Sequence, residues 1–316
     1  MNKDVIVNKL KPIVEQPKSC GFEAYLLAKT EPRLKKINLS RNGLHEGLKM
    51  DLIDIIQDRF LSKDAIFARE EDLGDNQAKF YVIEQVEAYR PFDINSWKVD
   101  DFAEKDLDDF MGFLFCFRYG HQDIWCYQNK RNTTITNHRK TNTLARILRY
   151  DNGLLFENQN DNIVSFAHVI DIIILDNNLI TSDIGLLERS FDLQIFIQNK
   201  ARIAAKSVAE SNLFSGMDKL NQYLLSDSKS HKPYRKKMMK ALDSPVLQMT
   251  TTDLYSKLST LSRWKDKFRC PVDGRIPIES VKEVESMIDL LIERFTVSEV
   301  TGQEYDTEVK KKAESI

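Results

Sequence analysis

Positive side chains are concentrated in one short stretch that contains no acidic residue. Between Lys229 and Lys240 the chain carries six of them. The members proposed to contact phosphate are Lys232, Arg235, Lys236, Lys237 and Lys240. Such charges bind phosphate oxygens and release counterions, which gives affinity for DNA without reading its sequence. Pro233 suits the first turn of a helix, on which Lys236, Lys237 and Lys240 would project together. The alternative is a solvated helix face.

A second basic segment lies in the middle of the chain. From Trp125 to Tyr150 there are six Lys and Arg residues and no Asp or Glu. Its proposed phosphate contacts are Lys130, Arg131, Arg139 and Lys140, with Asn and Thr hydrogen bonders between them. These residue types hold a nucleic-acid backbone in position. The alternative is an ordinary surface loop.

Residue patterns that would carry catalysis are incomplete. His138 and Lys140 have the spacing of a phospholipase D motif, but position 145 is Ala where that motif has Asp. Asp171, Asp176, Glu188 and Lys200 could supply a magnesium nuclease, yet they form no D…E-x-K string. Glycine-rich phosphate loops and G-x-S-x-G elbows are absent from the sequence. We therefore predict no enzymatic activity, no metal and no cofactor, with a degenerate nuclease and a protein-only adaptor as alternatives.

Charge is divided unevenly along the 316 residues, although the net charge is only −2. Residues 46–109 hold 18 Asp and Glu against 8 Lys and Arg, whereas residues 184–275 hold 17 Lys and Arg against 9 Asp and Glu. This asymmetry predicts an acidic half and a basic half with different partners.

Apolar runs such as Phe110–Phe117 are far shorter than the ~20 residues that cross a bilayer. The N-terminus does not begin with an apolar signal sequence. The four cysteines form no C-x-x-C pair, which argues against structural zinc. We expect reduced thiols and a cytoplasmic protein.

The pattern of elements predicts an α+β fold, with a mixed, strand-rich N-terminal half containing β-hairpins and a helical C-terminal half. The predicted segments are an acidic α/β region (1–110), a hairpin-rich sheet region (111–183) and a helical region (184–316). Residues 22–28 and 34–39 read as neighbouring strands, and residues 46–60 as an amphipathic helix. Residues 65–69 and 78–86 could pair across the loop that contains Gly74.

Two hairpins are predicted near the middle. In the first, 111–128, a three-residue turn from Gly120 would set Phe117 opposite Trp125 and Cys116 opposite Cys126. The second, 169–182, turns at Asn177-Asn178, and its wholly apolar first arm predicts a central strand.

Helical periodicity follows, and the last helix starts at a capping box. The predicted helices cover 186–209, 212–225, 233–242 and 252–264. Ser280 and Glu283 have the spacing of the capping box, with Val281, Val284, Ile288, Leu291 and Phe295 on one face.

The C-terminal string is the most recognisable part of the sequence. Leu290-Leu-x-x-Arg-Phe is followed by Ser298-x-x-Thr301-Gly302-x-x-Tyr305. This string resembles the end of the Kiwa B family, and the likeness extends over roughly residues 110 to 305. Thr301-Gly302 reads as a turn and Tyr305 as a packing residue, so the motif itself is structural.

The resemblance implies a DNA-binding effector of an antiphage defence system. Proteins of that type act with the membrane-spanning Kiwa A protein and impede phage DNA replication and late transcription. We accordingly expect double-stranded DNA and Kiwa A as partners, and a location peripheral to the inner membrane through that partner. The acidic half would then serve self-association, as a homodimer or higher homo-oligomer, or contact with Kiwa A.

Overall fold

A computed structural model shows an α+β protein, which confirms the predicted class. It describes residues 1–29, 33–39, 44–69, 80–103, 106, 109–130, 147–151, 154–157, 164–226, 231–261, 264–292, 295–297 and 304–306. The helices are α1 (Lys3–Glu15), α2 (Leu44–Ile55), α3 (Ile184–Ser190), α4 (Leu193–Glu210), α5 (Met217–Leu225), α6 (Lys232–Lys240), α7 (Thr251–Thr260) and α8 (Val281–Leu291).

Most strands lie between α1 and α3, and those that follow α3 are only two or three residues long. They are β1 (Gly21–Ala28), β2 (Arg33–Ile37), β3 (Phe67–Arg69), β4 (Phe80–Glu84), β5 (Lys98–Asp101), β6 (Phe110–Tyr119), β7 (Gln122–Asn129), β8 (Ile147–Asp151), β9 (Leu154–Glu157), β10 (Val164–Ser165), β11 (Ile172–Leu175), β12 (Asn178–Thr181), β13 (Phe214–Ser215), β14 (Ile276–Pro277), β15 (Phe295–Val297) and β16 (Glu304–Asp306).

The chain divides into two compact units between Leu186 and Leu187. This division lies close to the boundary predicted after residue 183. Residues 1–110 and 111–183, which were predicted as separate segments, contribute strands to the same sheet in the first unit. Among the described residues, no helix is both long enough and apolar enough to cross a membrane.

The first unit is built on a sheet whose nine described strands follow the order β3-β4-β12-β11-β7-β6-β1-β2-β5. One face packs on α1, through Ile6 and Leu10, and on α2, through Leu48 and Leu52. The helical spacing of these apolar residues explains why each helix buries one face there. As predicted, residues 46–60 are helical, with α2 continuing into a π-helical turn at Ile56–Phe60.

The β6–β7 hairpin is confirmed, but its predicted register is wrong by one residue. Gly120 has a φ of +61° and forms a two-residue turn with His121, so that Tyr119 pairs with Gln122. Phe115 therefore lies opposite Cys126, and Cys116 lies opposite Trp125. The two thiols do not face each other, because a shift of one residue moves a side chain to the other face of the sheet.

Three other predicted pairings are found, two of them with changes. β1 and β2 are antiparallel neighbours, as expected. β11 and β12 form the second hairpin, which turns at Asp176-Asn177 one residue earlier than predicted, and β11 is central in the sheet. β3 and β4 do pair, but they run parallel and so form no hairpin.

The second unit is mainly helical, and the predicted 186–209 helix is broken in it. Asp192 has a φ of +49°, which ends α3 and redirects the chain into α4. The capping box at Ser280 and Glu283 is present as predicted. Val281, placed on the apolar face by its spacing, is 56% exposed, and Phe295 lies in β15 outside the helix.

The C-terminal string forms a short antiparallel pair. β15 pairs with β16, with Thr296 opposite Tyr305, so the chain reverses between them. Ser298, Thr301 and Gly302 lie outside the described residues.

Candidate nucleic-acid interface

The lysine-rich stretch forms α6, as predicted, and the helix buries one side. Pro233 stands in its first turn, where a missing N–H costs little. Arg235, Met238 and Met239 are buried, at the i, i+3, i+4 spacing of a packed face. The helix contacts α4 and α8 along its length. This packing leaves the lysines of α6 on its outer and lateral sides.

Arg235 does not belong to an exposed phosphate-binding row, which corrects its place among the predicted DNA contacts. Its side chain is only 2% exposed. Its Nε donates a 2.7 Å hydrogen bond to the carbonyl oxygen of Leu224, and its Nη2 donates to the carbonyl oxygen of Ser226. These carbonyls lie at the C-terminal end of α5, where helix carbonyls have no intrahelical partner.

Lys236 and Lys237 each meet a carboxylate. The Lys236 Nζ lies 2.7 Å from Glu188 Oε1 on α3, and the Lys237 Nζ lies 2.8 Å from Asp289 Oδ1 on α8. Lys237 also lies over the ring of Tyr234, 4.2 Å from its centroid. The two charges that the sequence predicts to project together are thus held toward different helices.

The other lysines of α6 differ in exposure. Lys232 is exposed and makes no ion pair within the described part of the chain, while Lys240 is half-buried. The exposed Lys232 thus differs from Lys236 and Lys237, each of which already pairs with a carboxylate.

Aromatic packing supports the N-terminal end of α6. The Tyr223 ring stacks on His231 with centroids 3.9 Å apart, and its hydroxyl donates a 2.7 Å hydrogen bond to Glu285. Burial raises the pKa of Tyr223, and the hydrogen bond to Glu285 raises it further. This phenol stays neutral and serves as a structural donor.

The second predicted basic segment is described only at its start. Lys130 lies over the ring of Phe110, with its Nζ 4.1 Å from the centroid, and its N–H donates to the carbonyl oxygen of Met111. Arg131, Arg139 and Lys140 lie outside the described residues.

The residues considered for a metal nuclease have local structural contacts. Asp171 is buried and accepts a 2.8 Å hydrogen bond from the N–H of Asn129. Asp176 pairs with Lys9 at 2.6 Å, and Lys200 lies over the ring of Phe196. In the described part of the chain, no three His, Cys, Asp or Glu side chains group closely enough to hold a metal ion.

The carboxylates that face α6 were not predicted from the sequence. Asp289 is 52 residues from Lys237 along the chain, and Glu188 was considered only for a metal site. A local reading of charge cannot find such partners, because tertiary packing alone brings them to the lysines.

Comparison with known proteins identifies a family. The model of the family described as "Kiwa protein KwaB-like" matches residues 107–301, which is more than half of the chain. The matched span contains the central hairpins and α3 to α8. No curated protein and no solved structure matches the chain. The chain therefore belongs to the Kiwa KwaB-like family and is a component of a Kiwa antiphage defence system.

Proposed function

We propose that the protein is a sequence-independent binder of double-stranded DNA within the defence complex. It acts with a membrane-embedded partner, to which it is peripheral, and impedes phage DNA replication or transcription. The proposal rests on family membership together with the composition of α6. On this proposal the chain acts by binding, not by catalysis.

The observation that carries the proposal is the charge of α6. The nine residues of this helix include Lys232, Lys236, Lys237 and Lys240 and no acidic residue. Lysine side chains contact phosphates as point charges and do not distinguish base pairs. A helix with this composition supports phosphate binding that is equal for all sequences and strongly dependent on salt.

A binding titration tests the proposal. Two duplexes of unrelated sequence are titrated with the full chain at about 50 mM and about 200 mM salt. We expect equal affinities for both and much weaker binding at the higher salt. The variant K236Q/K237Q/K240Q should flatten the plot of log affinity against log salt by about 0.9 for each phosphate that a lysine of α6 neutralises in the wild type.

A matched variant controls for net charge. K11Q/K63Q/K98Q removes three lysines that are exposed in the first unit and should leave the slope unchanged. An unaltered slope in the α6 variant would show that α6 is a solvated face. Defence that survives neutralisation of both basic segments would instead favour a protein-only adaptor.

Two further measurements address the partner and catalysis. Coexpression with the membrane-embedded partner should move the protein into the membrane fraction, and expression alone should not. Incubation with plasmid and magnesium should leave the plasmid intact. Cleavage that disappears in a folded Asp171→Asn variant would replace the binding proposal with a nuclease.

A further inference from the structure

We propose that Glu188 and Asp289 form a carboxylate latch, an intramolecular contact that holds Lys236 and Lys237 away from phosphate. DNA binding at α6 would then proceed by exchange, with each phosphate displacing one carboxylate from its lysine. This inference rests on the proposed function and describes how the same site is regulated.

The geometry of the two ion pairs is the first support. Lys236 and Glu188 are 28% and 30% exposed, and Lys237 and Asp289 are each 21% exposed. All four groups are thus partly covered, at N–O distances of 2.7 and 2.8 Å. A phosphate that approaches either ammonium must therefore compete with a carboxylate that already occupies part of its surface.

Neighbouring side chains fix both contacts. Gln194 Nε2 donates to Glu188 Oε1 at 3.3 Å, which holds this carboxylate beside α6. The ring of Tyr234 lies under the Lys237 ammonium and favours its position near Asp289. The latch is therefore part of the packed second unit and is not a chance meeting of two long side chains.

The strength of such pairs permits exchange. Ion pairs that retain solvent access are weak, because water and salt screen them and the side chains lose freedom. A row of DNA phosphates can compete with pairs of this strength at low salt. Any change that removes or neutralises a carboxylate of the latch shifts that competition toward DNA.

The variants Glu188→Gln and Asp289→Asn, alone and together, test the latch in the full chain. With a short duplex of mixed sequence as the probe, each should tighten binding, because the lysine no longer has to give up a carboxylate when it contacts phosphate. The slope of log affinity against log salt should change little, since it counts the phosphates contacted in the bound state. At about 50 mM salt, the gain should be up to about fivefold for each variant, the range for ion pairs that retain solvent access. Circular dichroism would establish that the variants remain folded.

Two controls separate the latch from a general effect of charge. Asp218→Asn removes an exposed carboxylate from α5 and should give no comparable gain in affinity. The gain from Glu188→Gln should disappear in a Lys236→Gln background, because that lysine is the group set free. A similar gain from Asp218→Asn, or a gain that persists without Lys236, would overturn the latch.

The outcomes distinguish this inference from the proposed function. If the wild type binds the duplex and the double latch variant binds with the same affinity, the latch is overturned and DNA binding stands. If neither protein binds at low salt, both ideas fail. Binding by the double variant alone would support the latch but contradict the proposed function, because the wild type would then not bind DNA by itself.

Discussion

Arg235 and Leu224 are joined by a 2.7 Å hydrogen bond that ties the start of α6 to the end of α5. The guanidinium also donates to the carbonyl oxygen of Ser226, so one buried cation satisfies two backbone acceptors. One of the positive charges of α6, that of Arg235, therefore stabilises the second unit.

Replacing Arg235 by Met should destabilise the second unit. The carbonyl oxygens of Leu224 and Ser226 would be deprived of a charged donor, and we expect a decrease of about 2–4 kcal/mol in the free energy of unfolding. Urea denaturation measures this decrease. Lys232→Met, at an exposed site on the same helix, should change it by no more than about 0.5 kcal/mol. Equal midpoints for the two variants would contradict the structural role of Arg235.

Gly216 and Gly274 have similar backbone conformations but different surroundings, so alanine substitutions at the two positions can be compared. Both have positive φ, +79° and +74°. A Cβ at position 216 would collide with the carbonyl oxygen of Ile278, whereas a Cβ at position 274 meets nothing within 4 Å. Gly274→Ala should cost only the conformational penalty of about 1–2 kcal/mol, and Gly216→Ala clearly more. Thermal unfolding of both variants checks the order, and equal costs would refute the close contact.

The capping box of α8 should make part of the stability depend on pH. Burial tends to raise the pKa of Glu283, but hydrogen bonds from the N–H groups of Glu279 and Ser280, the Ser280 hydroxyl and the charge of Arg269 outweigh it and hold the pKa below its ordinary value. A carboxyl with a lowered folded-state pKa stabilises fully above its unfolded pKa of about 4.3, and this stabilisation is lost as pH falls through the folded-state pKa.

Comparison of the wild type with Glu283→Gln isolates this contribution. Glutamine can still cap the helix but does not titrate, so the variant should lose less stability than the wild type between about pH 5 and about pH 3. Urea midpoints across that interval provide the measurement. Parallel pH profiles for the two proteins would show that Glu283 contributes no pH dependence.

Thiol reactivity should separate Cys270 from the other cysteines. Burial raises the pKa of Cys116 to about 12 and also raises the pKa of Cys20 and Cys126, which are buried as well. Cys270 is exposed. An aromatic disulfide reagent at about pH 8 should therefore label one thiol in the native protein and four after unfolding. Fewer than four in the unfolded, unreduced chain would contradict the free state of the four cysteines.

Most helices and strands could be predicted from the sequence, because the features that define them involve residues close together in the chain. The alternation of Phe113, Phe115 and Phe117 identified the central hairpin, and Ser280 with Glu283 identified the start of α8. The register of that hairpin was predicted wrongly because the turn at Gly120 has two residues, not the predicted three. The spacing of the aromatic residues fits a turn of either length.

Features set by packing could not be predicted in this way. The left-handed backbone at Asp192 ends α3 within a continuous apolar pattern. Arg235 was predicted to contact DNA because it is basic and lies among lysines. Its guanidinium is instead buried, because it donates a hydrogen bond to a carbonyl oxygen at the C-terminal end of α5. The partners of Lys236 and Lys237 come from distant helices, and no spacing rule connects them.

The two outermost strand pairs of the nine-stranded sheet differ in the length of chain that separates their strands. The outermost pairs, β3–β4 and β2–β5, are parallel, whereas every pair between β4 and β2 is antiparallel. The apolar β4 follows β3 after only a short connection, while about 60 residues separate β2 from β5 and make that closure slower. Of these two outermost pairs, β2–β5 forms later during synthesis, and the unpaired β2 carries Arg33, Lys35 and Lys36, whose like charges discourage two nascent copies from joining there.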